Sequence, residues 1–123
     1  MDMLIICPSN PFVSVAPILA VPGMKSALID RGVPSVVVSP IIGGKAIKGP
    51  AAKMMQELNI ACHALSVAEY YQEFATHFVL DFIDEQYQTA IEQLGYKVIL
   101  SNTLMQSLED RIQLANIIVG KCL

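Results

Sequence analysis

Apolar residues follow two rhythms along this chain. Short unbroken runs alternate with stretches in which apolar positions recur every three or four residues. The runs are residues 3–7, stopped by Pro8; 35–39, bounded by Pro34 and Pro40; 77–81; and 97–101. Their length, β-branched content and abrupt stops predict four buried strands. Residues 12–31 read as helical, broken near Pro22 and Gly23 and ended by Gly32. Residues 41–49 read as a loop, and Pro50 suits the start of a helix that runs to about Leu58 and stops at Asn59. Ser66-Val67-Ala68-Glu69 has the form of a capping box, which places a helix start near Ser66. Asp84 opens a further helix whose apolar face is Tyr87, Ala90, Ile91 and Leu94, ended by Gly95. Ser107 and Asp110 form a cap-like pair, and the spacing of Leu108, Ile112, Ala115 and Val119 predicts the buried face of the last helix.

Strands separated by helices predict an α/β class with a parallel sheet covered on both faces. There is no internal repeat and no linker-like tract, so residues 1–123 read as a single α/β domain. Composition changes that picture in one respect. The chain is 54% hydrophobic and only 15% charged. For 123 residues that is more apolar surface than a small domain buries alone, which predicts part of a larger domain whose remainder covers an apolar face.

The formal net charge is −3, which excludes the broad basic field of a general nucleic-acid binder. Cys7, Cys62 and Cys122 lie far apart with no Cys-x-x-Cys, so they read as buried thiols in a reducing compartment rather than a zinc or redox pair. The first residues carry no basic region followed by a long apolar run, and no run reaches bilayer length. The expectation is a cytoplasmic protein.

In doubly wound folds, ligands sit outside the carboxyl ends of the strands. That rule selects residues 8–11, 39–48, 81–84 and 101–105. The second is the most informative: Ser39-Pro40-Ile41-Ile42-Gly43-Gly44-Lys45-Ala46-Ile47-Lys48-Gly49-Pro50. Glycines let backbone N–H groups approach a ligand, and two lysines add charge, so a phosphate or diphosphate site is one reading. A solvated glycine loop with two surface lysines is the other. Ala46 after Lys45 excludes a Walker A loop. Pro8-Ser9-Asn10-Pro11 offers a hydroxyl and an amide at a strand end, or simply a turn and helix cap. Asp81 is a weak candidate for a magnesium ligand, and Asp84 reads first as a helix cap. His63 and His77 have no ligand-like spacing and read as structural.

The segments ICPSNPFVSVAPILAVPGM, VVVSPIIGGKAIKGPAAKMM and SNTLMQSLEDR resemble, in that order, the later part of 2-phospho-L-lactate transferases, which act in the biosynthesis of the deazaflavin coenzyme F-420. The glycine–lysine segment is the most specific part of this resemblance. It also favours the transferases over the nucleotide-sugar-binding regulators of the same superfamily. The resemblance implies a Rossmann-like three-layer sandwich, of which this chain is the carboxy-terminal portion. It implies transfer of a phospholactyl-type group from a guanosine diphosphate-activated donor to a deazariboflavin acceptor, with magnesium as cofactor. Members are commonly dimers.

On that basis Lys45 and Lys48 are the candidate catalytic cations, and Pro8, Ser9, Asn10, Gly43, Gly44 and Lys45 the candidate phosphate and nucleotide contacts. The GGTGGAK-type loop with which the family begins has no counterpart here. The expected partners are therefore the donor, the acceptor, and either a second copy or the missing amino-terminal portion. The alternative is a catalytically inactive guanine-nucleotide or phosphate-binding fragment that pairs with a partner.

Overall fold

The four predicted strands form one parallel sheet, and the helices between them carry the chain back across its faces. The computed structural model describes residues 1–46 and 49–122. The strands are β1 (Leu4–Ile6) and β2 (Ser35–Val38), followed in the sheet by β5 (His77–Asp81) and β6 (Lys97–Ser101), all parallel in the spatial order β1-β2-β5-β6. A small antiparallel pair, β3 (Ile41–Ile42) and β4 (Lys45–Ala46), stands at the end of β2. The connections hold α1 (Ala16–Leu19), α2 (Met24–Asp30), α3 (Ala51–Glu57), α4 (Ala64–Tyr70), α5 (Gln88–Gln93) and α6 (Leu108–Cys122). A π-helical stretch, Pro11–Val15, leads into α1, and a 3-10 turn, Phe82–Tyr87, leads into α5.

Alternation along the strands divides the core in two. Val37, Phe78 and Leu80 face one side with Met55, Val67, Tyr71 and Ile91. Val36, Val38, Val79 and Ile99 face the other and pack on Leu114 and Ile118 of α6. Central β2 and β5 are buried throughout, as strands covered on both faces must be. β1 lies at the sheet edge, and its Ile5 is 39% exposed. Among the described residues no single helix is long and apolar enough to cross a membrane; the bent pair Pro11–Leu19 and Met24–Asp30, 81° apart, meets the criterion only jointly.

Three local expectations are corrected. The start of α4 is capped by His63, whose Nδ1 accepts from Ser66 N–H at 3.4 Å. Ser66 therefore lies inside the first turn, and the capping box is a coincidence of residue types. On α6, Leu114 and Ile118 are the buried pair, whereas Leu108, Ile112 and Val119 are 68%, 48% and 45% exposed. The predicted stripe is real as a stripe but faces away from the sheet. Cys7 is exposed rather than buried, and Cys62 and Cys122 are half-buried.

Candidate functional site

The segment read as a loop after β2 is a hairpin. Ile42 pairs with Lys45, and Gly43 and Gly44 make the two-residue turn with φ of 57° and 80°. Positive φ at both central positions is the type I′ turn that suits the twist of two strands. Gly-Gly between Ile42 and Lys45 was the sequence signal for it. Ser39, fully buried, fixes the base: its Oγ donates to the Ile41 carbonyl at 3.0 Å and accepts from Ile41 N–H at 3.2 Å.

Two contacts fix the tip. Gly43 N–H is shared between Asp84 Oδ2 and Oδ1 at 3.1 and 3.3 Å. Cys62 Sγ donates to the Gly44 carbonyl at 3.1 Å. Gly43 N–H is therefore already committed, which removes it from the donors expected to face a phosphate. Gly44 N–H donates to no other group among the described residues. Lys45 is exposed and forms no ion pair among the described residues. Lys48, the second expected cation, lies outside the described residues.

The Pro8–Pro11 turn follows β1, the sheet neighbour of β2, so turn and hairpin leave the same end of the sheet. Asn10 Oδ1 accepts from Phe12 and Val13 N–H at 2.9 and 3.3 Å, the cap role open in the sequence. Its Nδ2 meets Met54 Sδ of α3 at 3.3 Å, which ties the turn to the helix that follows the hairpin. No direct hydrogen bond joins Ser9 or Asn10 to Gly43, Gly44 or Lys45 among the described residues.

The acids at the end of β5 hold structure. Asp81 is 8% exposed. Its Oδ1 accepts from Ile83 N–H at 3.0 Å, and its Oδ2 accepts from both N–H and Oγ1–H of fully buried Thr103 at 2.9 and 3.0 Å. Asp81 thus caps the 3-10 turn, the role expected of Asp84, and pins the segment after β6. Asp84, 3% exposed, reaches sideways to the hairpin instead. Burial pushes its carboxyl above the ordinary range and nearby Asp81 adds to this, against the opposing bond from Gly43.

For magnesium, the fit is poor. A cation needs several free oxygen ligands. The Asp81 carboxylate is committed to three donors, and the described residues contain no group of three His, Cys, Asp or Glu able to hold a metal. His63 stacks on Tyr87 with centroids 5.0 Å apart, and His77 Nδ1 lies 2.7 Å from Thr76 Oγ1, so both histidines have local structural partners. Sequence reasoning missed Thr103 and Cys62, because contacts across 22 and 18 positions leave no local pattern.

A strand-end hairpin with an exposed lysine and positive-φ glycines can present charge and an N–H to a phosphate oxygen. The sequence model of the family described as 2-phospho-L-lactate transferase CofD matches residues 1–113. The 2-phospho-L-lactate transferase of Methanosarcina barkeri is 43% identical over 119 residues, which cover 97% of this chain and 38% of that protein. That of Methanocaldococcus jannaschii is 36% identical over 121 residues, 98% of this chain and 37% of its own length. That of Methanothermobacter thermautotrophicus is 38% identical over 122 residues, 99% and 39% respectively. The chain thus spans about two fifths of the length of these relatives.

Proposed function

Since the chain belongs to the 2-phospho-L-lactate transferase family, we propose that it supplies the phosphate-side scaffold of such a transferase in coenzyme F-420 biosynthesis. The donor is a guanosine diphosphate-activated phospholactyl-type compound, and the acceptor is a deazariboflavin. The observation that carries this reading is the glycine–lysine hairpin, held at the carboxyl end of a buried strand by Asp84 and Cys62 with Lys45 free in solvent.

In the reaction, an acceptor hydroxyl oxygen forms a bond to the phosphorus that carries the phospholactyl group. The bond from that phosphorus to the bridging oxygen breaks, and guanosine monophosphate leaves with the electron pair. The hydroxyl proton passes to solvent or a base. Negative charge grows on the leaving phosphate, and a fixed cation there lowers the barrier. Lys45 is assigned that role, with Lys48 beside it in sequence. Gly44 N–H contributes a fixed dipole, and Ser9 and Asn10 border the nucleotide. Magnesium, expected from the family resemblance, finds no group of three His, Cys, Asp or Glu ligands among the described residues. Placement in the cytoplasm and assembly as a dimer complete this reading.

A chain that spans two fifths of its relatives also favours a second reading: nucleotide binding without turnover until the rest of the enzyme is present. Calorimetric titration of the chain with guanosine diphosphate, guanosine monophosphate and a uridine diphosphate sugar tests both. Guanosine diphosphate should bind best, and Lys45→Ala should weaken it roughly tenfold, about 1.4 kcal/mol. Equal affinity of wild type and Lys45→Ala removes Lys45 from the site. Preference for the uridine compound refutes the donor assignment, and robust transfer by the chain alone refutes the scaffold role.

A further inference from the structure

We infer that the amino end of the sheet holds a binding site for a small organic anion, in which Lys97 supplies the charge, His77 Nε2 a hydrogen bond, and Leu28, Val33 and Phe74 an apolar wall. The inference rests on neither the donor nor the acceptor of the proposed transfer.

Three neighbouring strands place the site. Ser35, His77 and Lys97 are the first residues of β2, β5 and β6, which lie side by side and parallel. They mark the end of the sheet opposite the hairpin, which follows the last residue of β2. A cavity of about 510 Å³ opens there between the end of α2, the turn before β5 and the turn before β6. That volume is in the range of small-molecule sites, which combine an apolar lining with a few fixed polar groups. His77 and Lys97 are register partners, so their side chains leave the same face of the sheet.

His77 is 8% exposed. Its Nδ1 lies 2.7 Å from Thr76 Oγ1, and its Nε2 bonds to no group among the described residues. Nε2 is not sealed off either, since Tyr71 Oη is the only buried side-chain polar atom left without a partner among the described residues. The ring is thus held at one nitrogen and open to the cavity at the other.

The wiring at Nδ1 serves both charge states of that ring. Thr76 Oγ1 accepts from Ser35 N–H at 2.9 Å and lies 3.2 Å from the Ser35 carbonyl. When the ring is neutral, the Thr76 hydroxyl donates to Nδ1 and the ring proton sits on Nε2. When it is charged, Nδ1–H donates to Oγ1 and the hydroxyl turns to the Ser35 carbonyl. Neither state leaves Nδ1 unpaired. Protonation is opposed by burial first and by the Lys97 charge second. An anion set between Nε2 and Lys97 offsets that repulsion, so binding and proton uptake favour each other by the same factor.

The other titratable groups at this end do not fill the role of the ligand. Glu73 lines the cavity, and its carboxylate accepts from Lys25 Nζ at 3.3 Å. Cys122, at the end of α6, feels the Lys97 charge, but burial keeps its thiol protonated and neutral. Lys97 is exposed and forms no ion pair among the described residues. The apolar wall calls for an anionic group on an apolar body rather than a bare inorganic ion.

The test follows the His77 ring of the whole chain by NMR across a pH series. The chain is titrated with sodium hexanoate, with sodium chloride at equal ionic strength, and with hexanamide, which has the same apolar body and no charge. Hexanoate alone should raise the His77 pKa, by about one pH unit at its plateau, which is a tenfold tighter hold on the protonated protein. Methyl signals of Leu28 and Val33 should move in the same titration. Lys97→Met should weaken hexanoate binding by about tenfold, and Lys97→Arg should restore it. A His77 pKa that is the same in hexanoate and in chloride overturns the inference. So does hexanamide that binds as well as hexanoate, or a Lys97→Met chain with unchanged affinity. Shifts confined to the Lys45 hairpin overturn it in favour of an anion at the other end of the sheet.

Discussion

Removing the Asp84 carboxylate should release the hairpin that carries Lys45, and the size of the effect follows from the contact. One N–H, that of Gly43, is shared between two oxygens at 3.1 and 3.3 Å. This is a single bifurcated bond of ordinary to long length, with a net value of about 1 kcal/mol. Gly43 is exposed and can turn to water once the acceptor is gone, which keeps the penalty at the low end. Asp84 itself is buried, so Asp84→Ala adds a small void. The sum is a loss of about 1–2 kcal/mol, or roughly 3–8 °C in Tm.

Asp84→Asn separates the bond from the charge, because the amide oxygen still accepts. The Asp84 pKa is raised by burial first and by Asp81 in addition. A folded state that holds the proton more tightly gains stability at low pH. That gain is complete below the ordinary value of 3.8 and is lost as pH rises through the elevated folded value. In the folded state the ionised carboxylate is thus disfavoured relative to its protonated form, and Asp84→Asn, which keeps the acceptor without the charge, should be at least as stable as wild type at neutral pH. The two should converge in acid. Urea denaturation of the three proteins across a pH series measures this. An Asp84→Ala chain as stable as wild type at neutral pH refutes the tether. An Asp84→Asn chain as damaged as Asp84→Ala shows that the charge makes the bond, and the sign argument fails.

Other substitutions have defined outcomes. Asp81→Ala leaves the N–H and hydroxyl of fully buried Thr103 without an acceptor and should cost about 3 kcal/mol in chemical denaturation; a loss near zero means the segment after β6 is held by other contacts. His63→Ala removes the α4 cap, a long bond at 3.4 Å, together with the stack on Tyr87. It should cost about 0.5–1 kcal/mol in urea denaturation, and an unchanged midpoint denies the cap, since Ser66 N–H keeps its other acceptor, the residue 63 carbonyl at 3.2 Å. The His77 pKa is lowered from 6.5 by burial first and by Lys97 second. Its contribution to stability is therefore present above 6.5 and lost as pH falls through the depressed value. Lys97→Met should raise the His77 pKa in an NMR titration, though not to its ordinary value, and an unmoved titration removes Lys97 as a cause.

What the sequence revealed and what it hid divide along contact range. The four strands were legible because short unbroken apolar runs have few alternatives, and the stops at Gly23, Asn59 and Gly95 fall where φ is positive. The loops at the carboxyl ends of the strands were legible because strand ends dictate where they lie. The Gly43–Gly44 turn was legible in principle, since two adjacent glycines between strand-forming residues specify a I′ hairpin. Asp84 was misassigned because helix capping is the local prior for an aspartate before a helix, and its true partner is 41 positions away. The face of α6 went wrong for a related reason. Two apolar stripes run along that helix, and periodicity shows that stripes exist without saying which one the sheet takes.

The committed acids bear on the proposed function. Phosphoryl-group transfer to an alcohol needs cations at the phosphates and a route for the proton. At the strand ends described here, Asp81 is spent on Ile83 and Thr103, Asp84 on Gly43, and Asn10 on its own helix start. Lys45 and Gly44 N–H remain to meet a ligand, and both favour anionic phosphate without accepting a proton. On the proposed reading, the chain holds the phosphate side of the chemistry. Lys45→Ala should therefore lower the rate of a transferase that contains this segment without moving the thermal midpoint of the chain, because Lys45 is exposed and forms no ion pair among the described residues; a midpoint that falls with the rate assigns the loss to folding instead.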